Sequence, residues 1–276
     1  MGAEPVALPI LPGATHDRVP QVMGVLNVTP DSFSDGGRFL DPADAVAHGR
    51  RLVAEGAAVV DVGGESTRPG ARPVPVADEL ARVVPVVEAL AGEVRVSIDT
   101  TKAEVARAAV AAGATLINDV GASLHEVAAE LGVGWVAMHM QGRPGTMQDA
   151  PRYDDVVGEV RDFLVERAAA AVAAGVDEVW IDPGFGFGKS VAHNLALLAH
   201  LDELVATGHP VVVGLSRKRT LGVLLAASDG VDEPVPTDDR LEAGMAVDVV
   251  AMHLGAAMIR AHDVEAAVQA ARVVAA

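Results

Sequence analysis

The stretch VMGVLNVTPDSFSDGG (residues 22–37) contains the pattern on which the whole chain is built. A short apolar run, 22–26, ends at the side-chain amide of Asn27 and opens into a loop of small, polar and turn-forming residues. The same order recurs down the chain: an apolar run, a polar residue at its C-terminal end, then an Ala/Val/Leu-rich helical stretch. Short apolar strands that alternate strictly with helices predict a parallel sheet covered by helices.

Eight such units predict an α/β fold, a single (β/α)8 TIM barrel. The 276 residues suit this fold, which typically takes about 250. An open, doubly wound sheet is the alternative. A nucleotide-binding sheet of that kind is expected to carry a G-x-G-x-x-G motif after its first strand, and NVTPDSFSDGG has none. Residues 1–20, rich in Pro, Ala and Gly, are predicted to form a flexible N-terminal arm, and residues 21–276 the barrel domain.

Composition excludes several classes of function. A net charge of −17 argues against a nucleic-acid partner, because binding to a phosphate backbone needs a basic surface. Charged residues, Gly or His interrupt every apolar run well short of the ~20 residues of a bilayer span, so no membrane partner is expected. The chain has no cysteine, which excludes disulfides and thiolate chemistry. A cytoplasmic location is the expectation.

Polar side chains stand at the C-terminal ends of the predicted strands, where the sites of this fold lie. They are Asn27, Asp61, Asp99, Asn118, His139, Asp182, Ser216, Arg260 and His262. Helix capping or turn formation is the alternative for single aspartates such as Asp99, Asp119 or Asp263. Capping explains neither Arg260 nor Lys218, so the set as a whole predicts a binding site.

Two kinds of partner are predicted at this rim. The runs 216–219 (SRKR) and 260–262 (RAH) follow strands seven and eight, where barrels commonly bind phosphate, although a solvated basic turn is the alternative. Asp99, Asn118 and Asp182 offer carboxylate and amide acceptors that suit a flat heterocycle with several N–H donors. A site for a hard cation competes with that reading. Because unpaired buried carboxylates are costly, a ligand or Lys218 should satisfy them.

The stretch PGFGFGKS (183–190) approaches the P-loop motif without matching it. The first glycine of G-x-x-x-x-G-K-[ST] is Pro183 here, and proline removes a backbone donor and flexibility. Phe185 and Phe187 are predicted either as walls for a planar ligand or as ordinary packing beneath the loop.

Eight blocks of the sequence resemble, in order and spacing, the signature blocks of the bacterial dihydropteroate synthase family. They are GVLNVTPDSFSDGG (24–37), DVGGESTRPGA (61–71), SIDTTKAEV (97–105), IND (117–119), MHMQG (138–142), DPGFGFGK (182–189), GLSRKR (214–219) and IRAHDV (259–264). The first two blocks are specific to this family. The Asp and Asn positions alone are shared with other pterin-binding barrels.

The resemblance implies a folate-pathway transferase. Such an enzyme joins 4-aminobenzoate to 6-hydroxymethyl-7,8-dihydropterin diphosphate and releases diphosphate and 7,8-dihydropteroate. It also implies a dissociative, SN1-like mechanism, a Mg2+ ion as cofactor and a homodimer. Two alternatives stay open: a pterin methyltransferase barrel of the methyltetrahydrofolate–corrinoid type, and a paralogue that binds pterin without catalysis.

The resemblance also assigns roles to individual residues. The implied catalytic residues are Asp99, Lys218, Arg260 and His262. Pterin binding falls to Asp99, Asn118, Met138, Asp182, Phe187, Lys218 and Arg260. Diphosphate binding falls to Asn27, Thr67, Arg260 and His262, with Asn27 as the magnesium ligand. The 4-aminobenzoate pocket and its two mobile loops take Phe33, Thr67, Arg68, Pro69, Phe187 and Ser216.

Overall fold

A computed structural model describes residues 19–29, 42–66, 73–143 and 145–276 of the chain. Strands and helices alternate through this part of the chain, as the sequence pattern predicts. The strands are β1 (Gln21–Asn27), β2 (Val59–Gly63), β3 (Arg95–Asp99), β4 (Leu116–Asp119), β5 (Gly134–Met138), β6 (Val179–Asp182), β7 (Val212–Val213) and β8 (Met258–Ala261).

The helices cover the outside of the sheet. They are α1 (Pro42–Ala54), α2 (Val76–Leu90), α3 (Ala103–Ala111), α4 (His125–Leu131), α5 (Val156–Ala174), α6 (Val191–Ala199), α7 (Leu201–Val205), α8 (Arg219–Asp229), α9 (Leu241–His253) and α10 (Val264–Val274), with one 3-10 turn at Thr237–Asp239. Local signals set several ends. Asp155 caps α5 by accepting the Gly158 N–H, and Gly175 ends it at a φ of 97°, as left-handed glycines commonly do.

All eight strands belong to one parallel sheet, in the order β6-β5-β4-β3-β2-β1-β8-β7. The two edges approach each other through a single parallel bridge between Ile181 and Val211. The sheet is therefore a nearly closed barrel, and the predicted fold class is confirmed.

The core has an outer and an inner part. The larger cluster fills the space between strands and helices, with Leu26, Val60, Ile98 and Ile117 among its members. A smaller cluster lies inside the barrel and consists of Met23, Val59, Leu116, Val136, Trp180, Val212 and Met258. Because side chains alternate between the two faces of a strand, the residues two positions beyond these inner members also point inward. That alternation brings Asp61, Asn118, Asp182 and Arg260 into the upper barrel.

Two predicted elements differ from the structure. The sequence predicts one helix over 191–206, but His200, with φ of −117° and ψ of 31°, divides it into α6 and α7. The seventh strand is predicted over 210–213 and is observed only at Val212–Val213. Pro210 has no N–H to donate, and it joins the sheet only by accepting the Ile181 N–H at 3.0 Å.

No helix in the described part of the chain is long and apolar enough to cross a lipid bilayer. The predicted arm, residues 1–20, lies almost entirely outside the described residues, so its flexibility stays a prediction.

Candidate functional site at the barrel mouth

Four side chains from four strands form a continuous polar network inside the upper barrel. Arg260 donates through Nε to Asp61 Oδ2 at 2.7 Å and through Nη2 to Asp99 Oδ2 at 3.0 Å. Asn118 donates through Nδ2 to the same Asp61 oxygen at 2.9 Å. Asp61 is completely buried and Asp99 is 9% exposed. The network joins β2, β3, β4 and β8 at the C-terminal end of the barrel.

Asp61 orients both of its partners. A carboxylate only accepts hydrogen bonds, so the NH2 group of Asn118 must face it and the amide oxygen is left to accept from a ligand. The Nε bond to Asp61 likewise fixes the plane of the Arg260 guanidinium. Burial opposes the charge of Arg260, but Asp61 and Asp99 outweigh that effect and hold its pKa above the ordinary arginine value. Arg260 therefore stays charged within the site.

Asp99 has a carboxyl group that gives up its proton with difficulty. Burial and the neighbouring charge of Asp61 raise the pKa of Asp99 to about 7, against the opposing charges of Arg260 and Lys218. The sequence predicts a ligand or Lys218 as the partner of the buried carboxylates. The hydrogen-bonded cation at Asp99 is instead Arg260, and Lys218 acts on it through its charge.

The other half of the mouth combines an acid with an apolar surface. Asp182 is buried and accepts the Gly184 N–H through Oδ1 at 2.7 Å. Burial raises the pKa of Asp182, while the Gly184 N–H and Lys218 oppose that shift. The ammonium of Lys218 lies 4.0 Å from the centre of the Phe187 ring, and Phe187 packs in one cluster with Met138. A planar ligand could lie against this surface while its edge meets the acids.

The ends of β7 and β8 meet through Ser216 and His262. The Ser216 hydroxyl lies 3.1 Å from His262 Nδ1 and accepts the His262 backbone N–H at 3.2 Å. Beside it Arg217 pairs with Asp263 at 2.6 Å. This contact places His262 next to the Arg260 strand end, where the sequence predicts an anionic group.

Asn27 ends β1, and its neighbour across the sheet, Gly63, is in turn the neighbour of Asp99. A Cβ atom at Gly63 would lie 3.8 Å from Asn27 Oδ1 and 3.7 Å from Asp99 Oδ2, so the glycine keeps the space between these oxygens open. Among the described residues there is no group of three or more His, Cys, Asp or Glu side chains that could hold a metal ion. A hard cation at Asn27 would have to bring most of its oxygen ligands with a substrate.

Four of the predicted site residues, Phe33, Thr67, Arg68 and Pro69, lie outside the described residues. The others all lie at the C-terminal end of the barrel, on β1, β3, β4, β5, β6 and β8 or in the loops after β6, β7 and β8. Their roles remain predictions.

Some rim residues proved to be structural. Asp119 accepts the backbone N–H groups of Gly121, Ser123 and Leu124 in the turn before α4, so for this residue the turn-forming alternative holds. Phe185 is 1% exposed within the main core, so it is ordinary packing and not a ligand wall.

Two features were missed. The sequence indicates Asp61 only as one of nine polar strand ends, and its alternation with Val59 is the signal that predicts an inward side chain. His139 is not at the open rim but is buried with Lys189, and nothing in the sequence signals that pair.

A family model described as pterin binding enzyme matches residues 23–262 of the chain. The class that the barrel and its site define is therefore that of the pterin-binding enzymes. The dihydropteroate synthase of Mycobacterium leprae is 53% identical over 266 residues, 92% of each chain. The chain belongs to the dihydropteroate synthases within this family.

Solved structures agree with that assignment. Dihydropteroate synthase from Xanthomonas albilineans with 4-aminobenzoic acid is 52% identical, with a TM-score of 0.84 over 93% of this chain and 92% of the other. The same enzyme in complex with 7,8-dihydropteroate gives 48% identity and a TM-score of 0.81 over 94% of each chain.

Proposed function

We propose that the mouth of this barrel carries out the reaction of the dihydropteroate synthases. In that reaction 6-hydroxymethyl-7,8-dihydropterin diphosphate condenses with 4-aminobenzoate, and 7,8-dihydropteroate and diphosphate are formed. The observation that carries the proposal is the excess of buried acceptors. Asp61 and Asp99 share the hydrogen bonds of one cation, Arg260, while Lys218 acts on Asp99 and Asp182 through its charge, and Asn118 adds an amide oxygen. Such a site is completed by a neutral ring with several N–H donors.

The pterin ring would lie between the two halves of the mouth. Asp99, Asn118 and Asp182 would accept its amino and imino hydrogens, and Lys218 would donate to its carbonyl oxygen or ring nitrogen. Met138 and Phe187 would pack against one face. Donors from the ring would stabilise the ionised form of Asp99 and take over part of the role that Arg260 has in the free enzyme.

The diphosphate would lie beside the ring, toward β8. Arg260 uses Nε and Nη2 within the network, and Nη1 carries two further protons that can reach a phosphate oxygen. His262, held by Ser216, is the second predicted donor. Asn27 and Thr67 complete the predicted set, with Thr67 outside the described residues.

The reaction would proceed by loss of the diphosphate before attack. The bond between the pterin methylene carbon and the bridging oxygen breaks, and the diphosphate leaves with the electron pair. Asp99 and Asp182 would stabilise the positive charge left on the pterin, because buried carboxylates act strongly in a low-dielectric site. The nitrogen of 4-aminobenzoate then bonds to the methylene carbon and releases a proton.

4-Aminobenzoate is proposed to enter from the side of Ser216 and Phe187. Phe33, Thr67, Arg68 and Pro69, all outside the described residues, are the other residues proposed for this pocket, and the segments that contain them are proposed to close over the reacting centre. Closure would matter here because a carbocation must be kept away from water.

A Mg2+ ion is proposed to accompany the diphosphate. When bound, it would neutralise part of the leaving-group charge. Asn27 Oδ1 is the donor that this chain offers, and the open space at Gly63 fits an ion that carries its remaining oxygen ligands from the diphosphate and water.

A homodimer in the cytoplasm is the proposed form of the enzyme. Leu241, Val249 and Val250 on α9 and Val273 on α10 are exposed apolar side chains on two helices that contact each other, and such side chains are compatible with contact with a second copy. The absence of cysteine is compatible with a reducing compartment.

The test is a coupled assay of diphosphate release with dihydropterin diphosphate and Mg2+, run with and without 4-aminobenzoate. Release that depends on the arylamine and yields dihydropteroate is expected. Saturable pterin binding without release would remove the proposed chemistry and leave a pterin-binding paralogue. Methyl transfer from methyltetrahydrofolate to a corrinoid would instead establish the methyltransferase alternative, which the relatives do not favour.

A further inference from the structure

The stretch 182–189 (DPGFGFGK) ends in a lysine that neither the predicted site nor the rejected P-loop motif explains. Lys189 is only 3% exposed, and its side chain turns beneath the loop that follows β6. Its Nζ atom lies 2.9 Å from His139 Nδ1 and donates to three backbone carbonyls: His139 at 3.2 Å, Gly184 at 3.0 Å and Phe187 at 3.1 Å. One ammonium therefore joins the end of β5 to both halves of the β6 loop.

All four acceptors of this ammonium are neutral. Burial, together with the charge of Lys189, lowers the pKa of His139 to about 3, so its ring is uncharged. Nδ1 accepts from the lysine in the tautomer that carries its proton on Nε2. Burial also lowers the pKa of Lys189 to about 7, with Asp182 opposing that shift. A cation kept in such surroundings is costly unless its hydrogen bonds are worth more than its solvation.

The loop needs an external constraint because its own sequence provides little. Gly184, Gly186 and Gly188 all have positive φ values, between 63° and 80°. Glycine populates many backbone conformations, so three of them in five residues leave the free loop with high conformational entropy. The loop also packs directly on the neighbouring backbone: a Cβ at Gly184 would lie 1.9 Å from the His139 carbonyl oxygen.

The two loop carbonyls that Lys189 holds belong to residues of the pterin site or adjacent to it. Gly184 donates its N–H to Asp182 Oδ1 at 2.7 Å. Phe187 carries the ring on which the Lys218 ammonium rests, at 4.0 Å. A change in the loop conformation would therefore displace Asp182, the Phe187 ring and the Lys218 ammonium together.

We propose that Lys189 is a positioning residue that fixes the β6 loop and thereby sets the affinity of the site for the pterin ring. The proposal rests on the proposed function only in that the ligand is a pterin. Lys189 itself touches neither substrate. The loss of its hydrogen bonds is expected to weaken pterin binding and to leave the chemistry of the bound complex nearly unchanged.

The first experiment measures pterin binding by calorimetry, with dihydropterin diphosphate and Mg2+ and without the arylamine. Lys189→Met is expected to raise Kd about 10–100-fold, with kcat at saturating pterin within about threefold of wild type. Tyr153→Phe is the matched control, because it removes a neutral hydrogen bond, Tyr153 Oη to the Gly188 carbonyl at 2.9 Å, from the same loop. It is expected to change Kd by less than about threefold.

A second pair of variants tests whether the hydrogen bonds of Lys189 set the pterin affinity, even if Lys189→Met does not fold. His139→Asn keeps an acceptor oxygen near the position of Nδ1, whereas His139→Leu has none, and both lose the imidazole packing. Affinity retained by Asn and lost by Leu supports the proposal. Equal Kd values for the two, or a wild-type Kd for Lys189→Met, overturn it. Failure of the wild-type protein to bind pterin at all would instead remove the proposed function.

Discussion

Each end of this barrel carries an arginine that forms ion pairs with carboxylate side chains. The two sites differ in the ratio of cations to acids, and the difference distinguishes an end suited to stability from an end suited to ligand binding. At the N-terminal end, Arg95 forms a two-pronged pair with Glu178, at 2.8 and 2.6 Å, and Glu178 also accepts from Trp180 Nε1 at 2.7 Å. There one cation meets one anion, and the pair is partly exposed. At the C-terminal end, Arg260 is shared between two buried aspartates.

The difference is visible in the protonation of the acids. The hydrogen bond from Arg95 lowers the pKa of Glu178, whereas burial and the charge of Asp61 raise the pKa of Asp99 to about 7. In the Arg95–Glu178 pair, which we call the lower pair, the charges of one cation and one anion balance. The network at the C-terminal end has more acceptors than cations, so a ligand that brings hydrogen-bond donors would stabilise it. This agrees with the division of the TIM-barrel fold into a stabilising end and an active end.

The largest expected effect is that of Arg260→Ala. Turnover should fall by at least about 100-fold, because the variant loses the charge that is proposed to act on the leaving group. The barrel should still fold, since Asp99 can take up a proton in place of its lost partner. Diphosphate release and circular dichroism measure the two effects. Arg95→Ala is the matched control and should keep its kcat; near-wild-type turnover in Arg260→Ala would remove Arg260 from the catalytic residues.

Asp61→Asn tests whether the network orients the reacting groups. The substitution keeps the shape but loses the charge that holds Arg260, and kcat/KM should fall about 10–100-fold, as small misplacements of catalytic groups do. It should also lower the pKa of Asp99, because Asp61 is one of the causes of the raised value. The acidic limb of the pH–affinity curve should therefore move to lower pH. An unmoved limb would contradict the proposed coupling.

Pterin affinity of the wild-type protein should depend on pH through Asp99. Its carboxyl group is ionised above about pH 7 and protonated below, and protonation removes an acceptor for the ring. The contribution of Asp99 to affinity should therefore be full above pH 7 and fall up to about tenfold per pH unit below it. Calorimetry from about pH 5.5 to pH 8.5 measures this, with Asp99→Asn as a control that should show weak binding and a flatter profile.

Asp248 on α9 is a buried acid that belongs to neither end of the barrel. Both of its carboxylate oxygens are buried with no hydrogen-bond partner among the described residues. Burial together with the charge of Asp263 raises its pKa to about 7. The folded state therefore holds this proton more tightly than the unfolded state, so the cost of ionisation grows as pH rises toward 7 and persists above it. Asp248→Asn should raise the free energy of unfolding by about 1–3 kcal/mol near pH 8.

Denaturant unfolding near pH 8 and again near pH 4 measures the effect of Asp248→Asn. The gain should shrink at the lower pH, where the aspartate is neutral in the folded state. A gain of the same size at both values would point to packing and not to ionisation.

The smallest expected effect is at the lower pair. Arg95→Met should cost about 0.5–1 kcal/mol of stability, since the pair is partly exposed, and it should leave kcat unchanged. Because the pKa of Glu178 is lowered by folding, the contribution of the pair is present above its unfolded pKa and is lost as pH falls through its folded value. Thermal unfolding near pH 7 and pH 3 checks this. A loss of turnover would contradict the separation of the two ends.

The sequence predicted the positions of the site because strand ends in a parallel barrel converge wherever they lie in the chain. Asp99, Asn118, Asp182 and Arg260 come from four strands and point into one mouth, as the pattern indicated. The pairing among them was not predicted. Arg260 and Asp61 are 199 positions apart, and nothing local to either residue selects one aspartate rather than another as its partner.

The sequence by itself determined the architecture, through the eightfold alternation of short apolar strands with helices and through the glycines and prolines that end them. It also indicated that Asp99, Asn118, Asp182 and Arg260 point into the mouth, because strand periodicity is a local property. It placed His139 at the same rim, where the structure instead buries it with Lys189. Only the tertiary structure decided how their charges are shared. Arg260 serves two acids, Asp119 caps a turn, and Lys189 is buried against His139. Such pairings depend on distances and burial across the closed sheet, which exist only once all eight strands have come together.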